Sequence, residues 1–216
     1  MKGLFVKDLC LNFMNRKNMM IYLFISVFMS FAMDGQFIIG YTTMLLGILA
    51  VGTISYDEFD GGMSFLMCLP VTRKDYVREK FLYCLALEIL GALSGIVIYA
   101  LVSLIRNVPF SIPESLPFAL FSILGLSLML YAMIAIQLKY GSEKSRVMMM
   151  VIYGVIFALA LLLKQFAGLK EAVFRLIGFL DSCPAALLTG LIALFYLAAV
   201  TLLYKLSVKT MENKEF

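Results

Sequence analysis

Six apolar segments divide the chain and decide what it can fold into. Their lengths are 15, 18, 25, 19, 17 and 19 residues, and a helix needs about 20 apolar residues to cross a bilayer. Lipid offers no hydrogen-bond partner to a backbone amide, and the segments lack the alternating pattern of barrel strands. The sequence therefore predicts an all-α integral membrane protein with six transmembrane helices, over residues 19–33, 37–54, 81–105, 118–136, 147–163 and 185–203.

Composition excludes several other classes of protein. The chain is 62% hydrophobic and 15% charged, whereas soluble domains are about 25% charged. The longest piece between spans has 26 residues, fewer than the roughly 40 that a domain with its own core needs. The sequence contains no histidine and no GxxxxGK[ST] phosphate loop. We therefore expect no catalytic residue, no metal site and no cofactor in this chain, and no nucleic-acid partner, because no basic run is dense enough to bind one.

Positive charges predict the orientation in the membrane. Of the 18 Lys and Arg, 14 lie in the N-terminus, the 55–80 loop, the 137–146 loop and the C-terminus. Loops rich in Lys and Arg remain on the cytoplasmic side. We therefore expect both termini and these two loops to face the cytoplasm.

Two segments outside the spans have the pattern of amphipathic helices. In residues 1–18, Phe5, Leu9 and Phe13 recur at intervals of four, which predicts an interfacial helix on the inner leaflet. Residues 164–184 place apolar side chains at helical spacing between charged ones. This pattern predicts an external amphipathic or re-entrant helix between spans five and six.

The third span contains a close-packing motif and a buried acid. Gly91 and Gly95 stand at GxxxG spacing, which fits both packing inside the subunit and dimerisation. Glu88 lies about two turns inside the span, where an ionisable group marks either a functional site or a protonated or hydrogen-bonded helix contact. A proton-coupled secondary transporter would use Glu88 as its proton site, but the sequence shows no internal symmetry of the kind typical of that class.

The 55–80 loop is the longest charged piece of the chain. Ser55 and Glu58 stand three apart, as do Thr72 and Asp75, which predicts two short helices with capping-box starts. Between them lies an apolar stretch that ends at Pro70, with acids before it and bases after it. Such a composition is typical of a docking site, because apolar side chains anchor a partner and charges orient it. A loop that dips into lipid fits the same residues.

The same loop resembles a known family. The segment SYDEFDGGMSFLMCLPVTRKDYVREKFLY is similar to the pattern shared by permeases of ABC-2-type transporters, which is a Tyr-Asp-Glu cluster, an apolar stretch, Leu-Pro-Val-Ser/Thr-Arg-Lys, then Val and a Lys at the third span. The opening MKGLFVKDL is similar to that family's N-terminus, and the six-span layout covers residues 1–216. Within the family, the chain most resembles the permeases that export phenol-soluble modulins, short amphipathic peptide toxins, from Gram-positive bacteria. Gly61 and Gly62 depart from the pattern, because bulkier residues are common there.

This resemblance implies that the membrane path and the ATP hydrolysis belong to separate subunits. The 55–80 loop would insert into a groove of a cytoplasmic ATPase that binds ATP and Mg, and the 137–146 loop would add a second contact. The permease would act as a dimer of identical or closely related chains in the bacterial cell membrane and would export amphipathic peptides, with lipid or drug as alternative cargo. The implied coupling residues are Tyr56, Asp57, Glu58, Phe65, Leu66, Leu69, Pro70, Thr72, Arg73 and Lys74, and Glu88 is the candidate residue of the substrate path, where it would attract the cationic face of a peptide.

Overall fold

The structure is a computed structural model that describes residues 2–13, 16–32, 36–107, 111–165 and 185–214. The regular secondary structure in these ranges is entirely helical, as predicted. The helices are α1 (Lys2–Phe13), α2 (Arg16–Ala32), α3 (Phe37–Glu58), α4 (Gly62–Cys68), α5 (Arg73–Arg106), α6 (Ile112–Gln165) and α7 (Ala185–Glu212), with a 3₁₀ turn at Phe59–Gly61. Apart from its first two residues, which end α6, the predicted external helix over 164–184 lies outside the described residues.

Four described helical stretches are long and apolar enough to cross a membrane. They are Phe37–Glu58, Arg73–Arg106, Ile112–Val155 and Thr189–Glu212. The apolar part of α2, Met20–Ala32, is shorter than these stretches. The lengths indicate a multi-pass membrane protein, and the count of six spans stays a prediction.

Helix α6 consists of two arms that meet at a sharp bend. Gly141 has φ 80° and ψ 167°, a conformation that is essentially restricted to glycine. The hydroxyl of Tyr153 lies 3.7 Å from Sδ of Met133, although 20 residues of straight helix would separate them by about 30 Å. The two arms therefore fold back on each other, an arrangement compatible with separate spans on either side of the 137–146 loop.

The GxxxG motif of α5 packs against α3 inside the subunit. A Cβ at Gly91 would lie 2.7 Å from Cα of Thr43, and a Cβ at Gly95 would lie 2.8 Å from Cα of Ile39. Larger residues at either position would push the two backbones apart. Of the two roles that fit the motif, the structure thus shows packing within one subunit.

The 55–80 loop differs from the prediction of two short helices with capping-box starts. Ser55 and Glu58 lie in the last turn of α3, so the first predicted helix start is wrong. The helix continues because its core-facing side remains buried as far as Asp57. Thr72 does cap a helix, since its hydroxyl accepts a hydrogen bond from the backbone N–H of Asp75 at 3.1 Å. That helix is α5 itself, because neither glycine nor proline interrupts the chain before the third span, so α4 is the only short α-helix described in this loop.

Helix α1 contacts the rest of the protein through a partly polar face. Its buried residues are Leu4, Asp8 and Asn12, whereas Leu9 is 40% exposed. The amide of Asn12 donates to the hydroxyl of Tyr83 at 2.8 Å, a buried contact with α5. The apolar spacing in the sequence therefore predicted the helix but not the face that binds the core. Its position at the lipid interface stays a prediction.

Candidate functional site

The carboxylate of Glu58, at the end of α3, connects three separate parts of the chain. Its Oε1 lies 3.1 Å from Nζ of Lys214 near the C-terminus, and its Oε2 accepts the backbone N–H of Ser142 at 2.6 Å. Ser142 begins the second arm of α6, where a negative charge is favoured by the helix dipole. The loop, the α6 bend and the C-terminal end of α7 therefore meet at one end of the molecule, and the side of the membrane on which they lie stays a prediction.

The start of α5 is held by the C-terminal end of α7. Arg73 donates from its guanidinium to the backbone carbonyl of Met211 at 2.9 Å. Lys74 forms an exposed ion pair with Glu212, with an N–O distance of 3.4 Å. Because the N-terminal end of α5 meets the C-terminal end of α7, the two helices run antiparallel.

A buried network of charges joins α1, the end of α3 and the start of α5. Lys80, whose side chain is 1% exposed, forms ion pairs with Asp8 and, at 2.8 Å, with Asp57. Its ammonium group also donates to the hydroxyl of Thr53 at 2.9 Å, and the hydroxyl of Tyr76 donates to Asp57 at 2.9 Å. Every one of these residues is buried. The Asp of the Tyr-Asp-Glu cluster and the Lys before the third span are thus direct partners.

This network contains one more acid than it has bases. Three buried carboxylates, those of Asp8, Asp57 and Glu79, face Lys7 and Lys80. Neither oxygen of Glu79 has a hydrogen-bond partner in the described part of the chain. Burial alone lowers the pKa of Lys7, but the hydrogen bond to Asp57 and the charge of Asp8 outweigh it and raise the pKa above its ordinary value. Loss of either lysine would leave buried carboxylates uncompensated.

Exposed residues in and next to α4, most of them apolar, form what we call the α4 surface. It comprises six of the implied coupling residues together with Phe59, which the sequence did not single out. Its members are Tyr56, Phe59, Phe65, Leu69, Pro70, Thr72 and Lys74, all exposed. Phe59 is 72% exposed and Phe65 is 71% exposed. The other four implied residues point elsewhere: Asp57 and Leu66 are buried, while Glu58 and Arg73 are half-buried in the ion pairs and hydrogen bonds described above.

Two glycines set the position of α4. Gly61 has φ 74°, in the left-handed region where side chains are disfavoured. A Cβ at Gly62 would lie 2.9 Å from the carbonyl oxygen of Asp57, so a larger residue would push α4 away from the end of α3. With this geometry Met63 and Leu66 are buried and Phe65 points outward. The two departures from the family pattern are therefore required by this loop conformation.

A cleft of 440 Å³ lies between the end of α3 and the bend of α6. It is lined by Ser55, Glu58, Phe59, Tyr140, Gly141, Ser142, Glu143 and Lys144. The cleft brings together the 55–80 loop and the 137–146 loop, the two segments that the family resemblance implies as ATPase contacts. Phe59 belongs both to the cleft and to the α4 surface.

Glu88 lies inside the helix bundle, apart from these surfaces. It is 0% exposed, and neither carboxylate oxygen has a hydrogen-bond partner among the described residues. Its Cγ lies 3.4 Å from the place where a Cβ at Gly47 would stand, and Leu130 of α6 contacts the same position. Glu88 is therefore enclosed between α3, α5 and α6 and does not face an open path in the described structure.

Comparison with known proteins identifies one family. The family model described as ABC-2 family transporter protein matches residues 3–212, nearly the whole chain. No curated protein and no solved structure matches the chain. The match confirms the family that the loop resembles, while the resemblance to the phenol-soluble modulin exporters stays a prediction. The chain belongs to the ABC-2 family of transporter proteins, and it is the permease subunit of an ABC exporter.

Proposed function

We propose that this permease is driven by a separate cytoplasmic ATPase that docks on the α4 surface and that it exports amphipathic peptides across the bacterial cell membrane. The observation that carries the docking proposal is the exposure of Phe65, at 71%, on a short helix whose neighbouring segments are tied to the helix bundle. The peptide cargo rests on the family resemblance. Membership of the family implies an ATPase partner and a dimeric arrangement, which we propose to be two identical or closely related permeases.

The composition of the α4 surface fits a protein partner. Phe59, Phe65 and Leu69 are all exposed, and Lys74 adds an exposed positive charge. Aromatic residues are enriched at the centre of protein interfaces, and charged residues lie at their rim. A partner that covers these aromatic rings would remove exposed apolar area from water, which stabilises the complex.

The buried network provides a route from the docking surface to the membrane helices. Asp57 follows Tyr56 of the α4 surface and pairs with Lys80 at 2.8 Å, while Lys80 also pairs with Asp8 of α1. Movement of α4 would therefore displace the ends of α3 and α5 together with α1, because separating these charges is costly. ATP binding and hydrolysis can drive transport only if the two states of the ATPase contact this surface differently.

The 440 Å³ cleft provides a second contact for the same partner. The exposed side chains of Glu143 and Lys144 stand at the bend of α6, next to Phe59 of the α4 surface. A partner that occupies both sites would engage the arms of α6 as well as α3 and α5. A movement of this partner would then displace several helices at the same time.

Purification from the native membrane tests this function. We expect tagged permease, extracted in mild detergent, to bring an ATPase subunit with it in roughly one-to-one ratio. The ATPase activity of the complex should rise with amphipathic peptides and remain unchanged with lipids or drugs. Recovery of the permease without any ATPase would contradict the proposal, and stimulation by lipids or drugs alone would contradict the peptide cargo but not the docking.

Glu88 favours a second candidate function, in which the carboxyl group takes part in transport as a proton site. Burial of a polar group without a hydrogen bond costs about 1–3 kcal/mol, and such a cost is often retained for function. We expect Glu88→Met to raise the unfolding temperature of the complex, measured by circular dichroism, and to lower peptide export.

The matched control for Glu88 is Glu88→Gln, which keeps the polar shape but loses the titratable proton. If Glu88 is a proton site, export by the wild type depends on a pH gradient, and both variants lose export. Unchanged export and unchanged peptide-stimulated ATPase activity in both variants would leave Glu88 with a structural role only.

A further inference from the structure

A groove of 580 Å³ lies between α5 and α7. Its volume falls within the roughly 300–1,000 Å³ of small-molecule sites. Residues from α5, α6 and α7 line it, among them Arg78, Phe81, Leu85, Tyr131, Tyr196 and Tyr204. The ring of Phe81 stacks on Tyr131 at 4.5 Å and meets the edge of Tyr204 at 5.8 Å. Aromatic rings therefore form much of the groove wall.

Among the residues that the structure describes, Arg78 is the only charged one that lines this groove. It is exposed, and it has no hydrogen bond or ion pair with any described residue. It lies one turn before residue 81, where the third span is predicted to begin. The guanidinium group therefore lies at the depth of lipid headgroups, where basic residues between transmembrane helices attract anionic lipids.

The rest of the groove extends from Arg78 towards the membrane interior. Along α5 its lining runs from Arg78 to Leu85, which corresponds to about 10 Å of helix. Because α7 runs antiparallel to α5, Tyr204 lies near the Arg78 end and Tyr196 lies deeper. A positive charge at the headgroup level, followed by an apolar channel, matches the order of groups in a phospholipid.

We propose that this groove binds one anionic phospholipid of the inner leaflet, with its phosphate on Arg78 and an acyl chain between α5 and α7. A cationic peptide is disfavoured because Arg78 repels it. A two-fold contact with a second permease is disfavoured because it would bring two Arg78 charges together, and none of the described lining residues is an acid that could neutralise them. The site does not depend on which cargo the transporter exports.

Native mass spectrometry of the complete, delipidated transporter tests the proposal. Phosphatidylglycerol and phosphatidylcholine are added back, and bound lipid is counted for each variant. We expect the wild type to bind phosphatidylglycerol in preference to phosphatidylcholine. Arg78→Gln should weaken phosphatidylglycerol binding about fivefold, the effect of one basic residue near a lipid surface, with no change for phosphatidylcholine. Arg78→Lys keeps the charge and should retain the preference.

Two further variants separate this site from general attraction to the membrane. Lys205 is exposed and follows Tyr204 but does not line the groove, so Lys205→Gln should bind phosphatidylglycerol as the wild type does. Leu85→Trp fills the apolar channel and should weaken binding of both lipids. Equal losses in Arg78→Gln and Lys205→Gln, or full binding by Leu85→Trp, would overturn the proposal. So would a benzophenone amino acid at position 82 that crosslinks to a second permease or to peptide instead of lipid.

Discussion

Replacement of Lys80 by alanine is expected to destabilise the permease by about 3–5 kcal/mol, the usual cost of breaking a buried ion pair by removing one partner. The side chain of Lys80 is 1% exposed and pairs with both Asp8 and Asp57. Without it, Lys7 alone remains to compensate three buried carboxylates. We expect the variant to accumulate poorly in the membrane and to unfold at a much lower temperature, as followed by circular dichroism of the purified protein.

Two comparisons isolate the effect of burial in this prediction. Lys74 also forms an ion pair, but its side chain is 68% exposed, so Lys74→Ala should cost no more than about 1 kcal/mol. In the double variant Asp8→Ala and Lys80→Ala, one acid and one base are removed together. Its loss of stability should be smaller than the sum of the two single losses. Unfolding of Lys80→Ala at the wild-type temperature would show that the network does not hold these helices together.

The long apolar helices and the close packing of two of them could be predicted from sequence because both depend on local patterns. Apolar length identifies a transmembrane helix whatever its neighbours are. The spacing of Gly91 and Gly95 is likewise a local signal for close helix contact. The sequence did not distinguish contact within the subunit from contact between subunits, because the partner helix is set by the three-dimensional arrangement, and only the structure places Thr43 against Gly91.

The buried charge network could not be predicted, because its members are far apart in the chain. Asp8 and Lys80 are separated by 72 positions, and each lies in a segment whose charges resemble those of a solvated surface. Asp8 and Asn12 lie beside the apolar stripe of α1, and polar residues of an amphipathic helix normally face water. They are buried because α3 and α5 provide partners for them, and no local sequence pattern indicates these contacts.

The boundaries around α4 show tertiary contacts overriding local signals. Ser55 and Glu58 have the spacing of a capping box, yet α3 continues through both residues, because Asp57 beyond Ser55 is buried against Tyr76 and Lys80. Glu58 instead caps a distant helix at Ser142. The capping signal at Thr72 was correct, since its hydrogen bond with Asp75 is local and needs no other part of the fold.

Truncation of Phe65 is expected to abolish docking of the ATPase without unfolding the permease. Phe65 is 71% exposed, and exposed substitutions usually change stability by less than about 0.5 kcal/mol. A central aromatic anchor in a protein interface contributes about 2–4 kcal/mol, which corresponds to a loss of affinity of about 30-fold to 1,000-fold. The measurement is titration of purified ATPase against wild-type and Phe65→Ala permease, with ATP-driven peptide export as a second readout.

Neighbouring positions of α4 provide the controls for this experiment. Ser64 is also exposed, and Ser64→Ala should bind the ATPase normally because it removes little apolar surface. Leu66 is 8% exposed, so Leu66→Ala should cost about 2–5 kcal/mol in stability. Phe65→Ala, in contrast, should lose ATPase binding and keep its stability. Normal ATPase binding by both Phe65→Ala and a double variant that also carries Phe59→Ala would remove the α4 surface from the coupling route. The exposed rings would then contact lipid, as the composition of the apolar stretch also allows, and the cleft at the α6 bend would be the remaining described site for the ATPase.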